Sequence, residues 1–206
     1  MHRSQVRSGD ILEAGHRVIV VGLNCRDNCG SAAKALTQAA GFSITKLKRI
    51  AGASDTGRFV RIYVEPSPVP HLREIIGLIL RRDHHVPIRG EDLDAGLHRL
   101  VRYLGSPDHH QMHTHDVAMV AIGCGKGSLE GGFTSLLKHL IAARYPGVVY
   151  EPRDPQRRVG EAQLARLGLI GRPEDPLPSW RCPRSDWGEA DERQVIGLRN
   201  PDAQLV

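Results

Sequence analysis

A chain of 206 residues, 40% of them hydrophobic, supplies one core with an appendage, or two small domains at most. Its longest apolar runs, Val18 to Leu23 and Ile75 to Leu80, are too short to span a bilayer. Met1 to Gly9 has no apolar signal region, and four cysteines make no disulfide framework, so the expectation is a cytoplasmic protein without a membrane partner. The net charge of +5 is uneven, with nineteen Lys+Arg against thirteen Asp+Glu in residues 1–150 and nine against ten in residues 151–206. That bias suits an anionic ligand such as a nucleotide or nucleic acid, and equally a solvated basic surface. No basic run is dense enough to indicate DNA binding alone.

In chain order, Val18-Ile19-Val20-Val21 is a continuous β-branched run, the pattern of a central strand covered on both faces, and it ends in Gly22-Leu23-Asn24. A polar loop, Cys25 to Gly30, follows. Ser31 is placed to cap the next helix, in which Ala32, Ala33, Ala35, Leu36, Ala39 and Ala40 form a small-residue packing face ended by Gly41. Residues 43–57 are basic and then Gly/Ser-rich, a loop with a short helical piece. Arg58 to Val64 alternates as a strand, and Pro66, Pro68 and Pro70 break it. The spacing predicts a helix over Leu72 to Leu80, a short strand at His85 to Ile88, and an amphipathic helix over Asp92 to Leu104. Gly147 to Tyr150 forms a last strand. Alternating strands and helices define an α/β class with a mostly parallel, three-layered sheet. Seven of the thirteen prolines lie in residues 152–206, and only Glu161 to Ile170 there reads as helical. This Pro/Arg-rich C-terminal extension either wraps the domain or stays partly irregular.

The chemistry centres on Asp116 to Ser128. A buried strand runs into Gly123-Cys124-Gly125-Lys126-Gly127-Ser128, then into a helix from Gly131 to Arg144 carrying Leu136, Leu137, Leu140 and Ile141. Glycine permits unusual dihedrals and close approach, so backbone N–H groups can converge on an anion, usually a phosphate. The segment matches neither a Walker A loop nor the full dinucleotide fingerprint, and an ordinary tight strand-to-helix turn is the plain alternative.

Together, Gly9-Asp10-Ile11, the apolar strand ending in Asn24, the loop closing on Gly30, Ala118 to Gly127, and Tyr150-Glu151-Pro152 resemble a macro domain. Within that family the resemblance is to the DNA ADP-ribosyl glycohydrolase antitoxins and the terminal ADP-ribose protein glycohydrolase. It covers roughly residues 8–152, leaving 153–206 as the extension, and rests most on Ala121-Ile122-Gly123-Cys124-Gly125-Lys126-Gly127. It implies a three-layer α/β/α fold with a mixed sheet and an ADP-ribose ligand. Asp10 would accept from the adenine amino group beside the Ile11 N–H, and Asn24 would face the distal ribose. Cys29, Gly30 and Ser31 would form a first phosphate loop, Gly123 to Ser128 (Gly123, Cys124, Gly125, Lys126, Gly127, Ser128) a second, and Tyr150 would lie near the adenine. Each position has an ordinary alternative: a turn cap for Asp10, a strand-end hydrogen bonder for Asn24, a core residue for Tyr150.

The chain departs from that branch in one respect. Its hydrolases use a lysine from mid-domain, and no lysine lies between Lys48 and Lys126. Glu65-Pro66 or Arg89 occupy the corresponding strand ends, and arginine stays protonated and is a poor nucleophile. A catalytic version would instead activate water through Asp27 or Glu65, with Asn24 orienting the ribose. The expectation is therefore an ADP-ribosyl glycohydrolase acting on ADP-ribosylated DNA or protein, or a non-catalytic reader or sequestering module. Two clusters resemble metal sites, His109-His110-x-x-His113-x-His115 and Cys25-x-x-x-Cys29 with Cys124, but solvated histidines and a lone thiol pair explain them as well. No metal or cofactor is expected.

Overall fold

The computed structural model describes residues 1–24, 30–41, 43, 45, 55–64, 67–83, 85–106, 112–125, 129–179 and 196–198. Seven strands form one sheet: β1 (Val6–Arg7), β2 (Val18–Asn24), β3 (Arg58–Tyr63), β4 (Glu74–Arg81), β5 (Val117–Met119), β6 (Val148–Tyr150) and β7 (Ile196–Leu198). Their order is β1-β6-β5-β2-β4-β3-β7, with β1, β6, β5, β2 and β4 all parallel. β3 runs antiparallel to β4, and β7 pairs parallel to β3. The helices are α1 (Ser31–Ala39), α2 (Gly90–Leu104), α3 (Gly132–Ala142) and α4 (Glu161–Arg166). Among the described residues no helix is long and apolar enough to cross a membrane.

The period-two alternation of β2 divides the core. Val18 and Val20 join α2 and α3, through Leu93, Leu97, Phe133 and Leu137, on one face. Ile19, Val21 and Leu23 join Ala33 and Leu36 of α1 on the other. The three layers follow from a sheet buried on both sides, each face needing its own apolar cover. In α1 the cap position is held by Gly30, which makes no side-chain cap bond; Ser31 is the first helical residue, so the expected serine cap is not formed. Gly41, at φ +68°, follows the helix end as expected.

Residues 72–80 overturn the helix expectation. Glu74–Arg81 is a central strand, paired with β2 from Val18↔Glu74 onward and with β3 on its other side. The run Ile75-Ile76-Gly77-Leu78-Ile79-Leu80 has no polar side, which a surface helix requires, and it is buried throughout. Helical spacing among its leucines and isoleucines is an accident of a continuous apolar run. Residues 85–88 form a turn and irregular backbone rather than a strand. β1 and β7 had no signal, being two and three residues long and dependent on long-range pairing.

The extension wraps the domain over its described part. Val159, Leu164 and Leu169 are buried in the α2/α3 core. Arg3 donates to Glu161 at 2.9 Å, Arg3 N to Ile170 O at 2.9 Å, and Thr114 Oγ1 to Pro178 O at 2.6 Å. Its helix is shorter than expected, ending at Arg166, because Gly168 turns into the left-handed region at φ +74°. Trp180 and Trp187 lie outside the described residues.

At the sheet centre Gly77 admits Leu23: a Cβ there would lie 2.1 Å from Leu23 Cδ1 and 2.8 Å from Cγ. Gly77→Ala should therefore lower stability by about 1–3 kcal/mol, the usual cost of overpacking, or several degrees in Tm. Thermal or urea unfolding measures it, and an unchanged midpoint would refute the packing argument.

Candidate functional site

Because β2, β4, β5 and β6 are parallel, their carboxyl ends meet along one edge of the sheet. β2 leads toward α1 on one face and β5 toward α3 on the other, so a topological switch point lies between β2 and β5. In open α/β sheets ligands bind in the crevice outside such a point. The glycine loop leaves β5 there. Val120 N donates to Val20 O at 3.1 Å, and a Cβ on Gly22 would meet Ile122 Cγ2 at 3.1 Å, so the loop runs closely beside the second half of β2.

Gly123 carries the turn. Its φ is +77°, its carbonyl accepts from Leu129 N at 3.0 Å, and an added Cβ would come 2.8 Å from Leu129 Cβ. Gly125 differs, since a Cβ there meets nothing within 4 Å. Its side is open space, so the fold itself does not require glycine at 125. Cys124 is buried, and burial pushes its thiol up to about 11 against the opposing pull of Arg157. The thiol is thus protonated at neutral pH and is no nucleophile in this state. α3 begins behind the loop at Gly131, φ +79°, with no side-chain cap and no acid in its first turn.

Asn24 ends β2 at this edge, buried, with its Oδ1 accepting from Arg81 Nε at 2.8 Å. Arg81 ends β4 and also donates to Val86 O at 3.3 Å; its partial burial lowers its pKa. The helical spacing of 72–80 hides Arg81; as a strand, that run ends with Arg81 at the carboxyl edge of the sheet. Gly30 and Ser31 open α1 on the opposite face, with nothing within 4 Å of a Cβ on Gly30.

Asp10, Ile11 and Tyr150 come together at the β1/β6 side. Ile11 packs against Ala118, Val148 and Tyr150. Asp10 Oδ1 accepts from Leu12 N at 3.0 Å, and its Oδ2 lies 3.4 Å from Arg153 Nη2, so here it caps a turn and pairs with the extension. Tyr150 is 7% exposed and its hydroxyl lies 2.9 Å from His16 Nε2. His16 Nδ1 lies 2.5 Å from His115 O, so Nδ1 donates there and Nε2 accepts a hydrogen bond from the tyrosine hydroxyl. The two rings meet edge-on, centroids 5.6 Å apart.

Cys29, Asp27, Lys126, Gly127 and Ser128 lie outside the described residues, as do Cys25, Glu65, His84, His109 and His110. Among the described residues no three His, Cys, Asp or Glu side chains form a group able to hold a metal. His113 and His115 stack, ring centroids 5.7 Å apart.

An open pocket of about 470 Å³ borders the loop. Cys124 and Gly125 form one wall, the start of α3 a second, and Gln156 to Val159 of the extension a third. Arg157 Nη1 donates to Cys124 O, tying the extension to the loop.

This architecture is the macro-domain fold. No family model and no curated protein sequence matches the chain. Among solved structures it resembles the macrodomain of Mycobacterium tuberculosis DarG, at TM-score 0.57 and 22% identity over 71% of this chain and 97% of that one. Thermosipho africanus DarTG in complex with ADP-ribose matches at TM-score 0.58 and 16% identity, over 77% of this chain and 44% of that one. A Trypanosoma brucei macrodomain in complex with ADP matches at TM-score 0.53 and 11% identity, over 79% and 67% of the two chains.

The His16–Tyr150 pair gives a pH signature. Burial lowers the His16 pKa from its usual 6.5, outweighing the raising effects of the His115 carbonyl and Asp116. The unfolded chain therefore takes up this proton first. Stability from this site is full above about pH 6.5 and is lost as pH falls from there through the lowered folded value. His16→Gln should flatten that part of the stability profile between pH 7 and 5, read from urea midpoints; an unaltered slope would exclude His16 as its source.

Proposed function

We propose that the protein binds ADP-ribose or a related adenine nucleotide at the carboxyl edge of its sheet, and that it hydrolyses ADP-ribosyl groups from a nucleic acid or a protein. The observation that carries the reading is the glycine loop at the β2/β5 switch point, open on the Gly125 side and flanked by the buried amide of Asn24. Neighbours of the same fold have been captured with ADP-ribose or ADP. In this reading the pyrophosphate lies against residues 123–128, Gly30 and Ser31 approach it from α1, and the adenine lies toward Asp10, Ile11 and Tyr150. Residues 8–152 form the ligand-binding unit, and the protein works in the cytoplasm.

Cleavage of the ribosyl bond develops positive charge at the anomeric carbon. A carboxylate or amide beside the distal ribose orients water and offsets that charge, which an arginine does not. Asn24 and Asp27 are the residues assigned that role. The second reading, a binding module without catalysis, is favoured by two observations: the absence of lysine between Lys48 and Lys126, and the engagement of Asn24 Oδ1 by Arg81.

Calorimetry with ADP-ribose, ADP and AMP tests the ligand. A Cβ at position 125 meets nothing within 4 Å among the described residues, so Gly125→Val should fold normally and bind ADP-ribose about ten- to a hundredfold more weakly. Unchanged affinity in a folded Gly125→Val variant would remove the loop from the site. For catalysis, Asn24→Ala or Asp27→Ala should reduce release of ADP-ribose from modified DNA or protein by about 10²–10⁴-fold, with binding changed only a few-fold. Tight binding by the wild type with no release from either substrate would leave the binding module alone.

A further inference from the structure

The pocket beside the glycine loop has a wall that lies beyond the macro-like segment. Gln156, Arg157, Arg158 and Val159 follow the last strand of that segment, and they face Cys124 and Gly125 across the opening. Among the described residues two arginines line the cavity, and no Asp or Glu does.

The two guanidinium groups are held differently. Arg157 donates from Nη1 to the Cys124 carbonyl, while its Nε lies 3.2 Å from Asp154 Oδ2, so a carboxylate offsets part of its charge. Arg158 is held by carbonyls alone: Nε donates to Pro152 O at 3.0 Å and Nη2 to Arg153 O at 3.4 Å. Neutral acceptors orient a guanidinium without cancelling its charge. Among the described residues no carboxylate pairs with Arg158. The facing wall adds no acid either, since Gly131, Gly132 and Thr134 open α3 there. A cavity with this lining attracts an anion, and the planar fork of arginine suits the oxygens of a phosphate.

We infer that this pocket seats a phosphate group of the bound nucleotide and that Arg158, steadied by its neighbour Arg157 on the glycine loop, is the residue that selects for it. The inference rests on the proposed nucleotide-binding function and deepens it. Selection of a diphosphate then comes from a cation of the extension as well as from the loop backbone. The Arg157 hydrogen bond to Cys124 fixes the distance between the two.

The test uses the full chain and calorimetry with ADP-ribose, ADP and inorganic pyrophosphate, with thermal melting as the control for folding. Arg158→Gln should weaken all three by about tenfold, the scale of a lost charge-assisted hydrogen bond, and Arg158→Lys should recover part of the loss. Thr134→Glu supplies an independent variant. A carboxylate in the first turn of α3 favours the helix and can take over the bond that Gln163 Nε2 now donates to Thr134 Oγ1 at 2.9 Å, so Tm should hold or rise, yet the same charge should repel the phosphate and lower affinity. A stability defect cannot imitate that opposition of signs. Arg158→Gln and Thr134→Glu proteins that both bind ADP-ribose and pyrophosphate within twofold of wild type would overturn the inference while leaving the nucleotide-binding function intact. A wild type that binds pyrophosphate through Arg158 but neither ADP-ribose nor ADP would overturn the nucleotide-binding function, and with it the assignment of the phosphate to a nucleotide.

Discussion

The carboxyl edge of the sheet depends on the double pairing of β2. With β4 on one side and β5 on the other, both parallel to it, β2 is paired on both sides from Val18 to Val20 and with β4 onward to Asn24, where a register shift after Leu23 sets Asn24 opposite Arg81. That arrangement brings the ends of β2 and β4 together, starts the glycine loop partway along β2, and sends the following segments to opposite faces. Asn24, Arg81 and the start of the glycine loop are neighbours for this reason alone. The close seat of Leu23 on Gly77 fixes the β2/β4 half of the arrangement, and the backbone bond from Val120 to Val20 fixes the β5 half. A shift of one residue in either pairing would turn apolar side chains from one core to the other.

Much of this was legible in the sequence. The β-branched run at Val18 to Val21 reads as a doubly covered strand, and the run from Val117 through Gly123 to the leucines of α3 names a strand, a turn and a helix in order. The Leu72 to Leu80 segment was misread because an unbroken apolar run satisfies helical and strand periodicity at once. Gly77 was the available discriminator, being unfavourable inside a helix and suited to close approach within a sheet. Arg81 was lost with it. Arg157 and Arg158 were unreadable for another reason: their relation to Cys124 and Gly125 exists only once the chain has folded back on itself.

On the β1/β6 side, too, polar groups belong to the scaffold. Asp10 holds its own turn through the Leu12 N–H and reaches Arg153, and the Tyr150 hydroxyl donates a hydrogen bond to His16 inside the protein. These contacts pin the β1/β6 side before any ligand arrives. Preorganised groups cost less to order on binding than mobile ones.

One consequence concerns the order in which the chain assembles. The edge strand Val6–Arg7 pairs with Val149 and Tyr150, Gln5 donates to Pro146 and Gly147, and Arg3 meets Glu161. The first residues thus find partners only after nearly the whole macro-like segment has been made. Closing so long a loop carries an entropic cost that local contacts do not, and pairing of this range slows folding. Until closure, the outer side of β6 is an uncovered sheet edge, the kind of surface on which another chain can add a strand. The clasp between the first residues and the extension therefore protects the nascent molecule as well as the finished one.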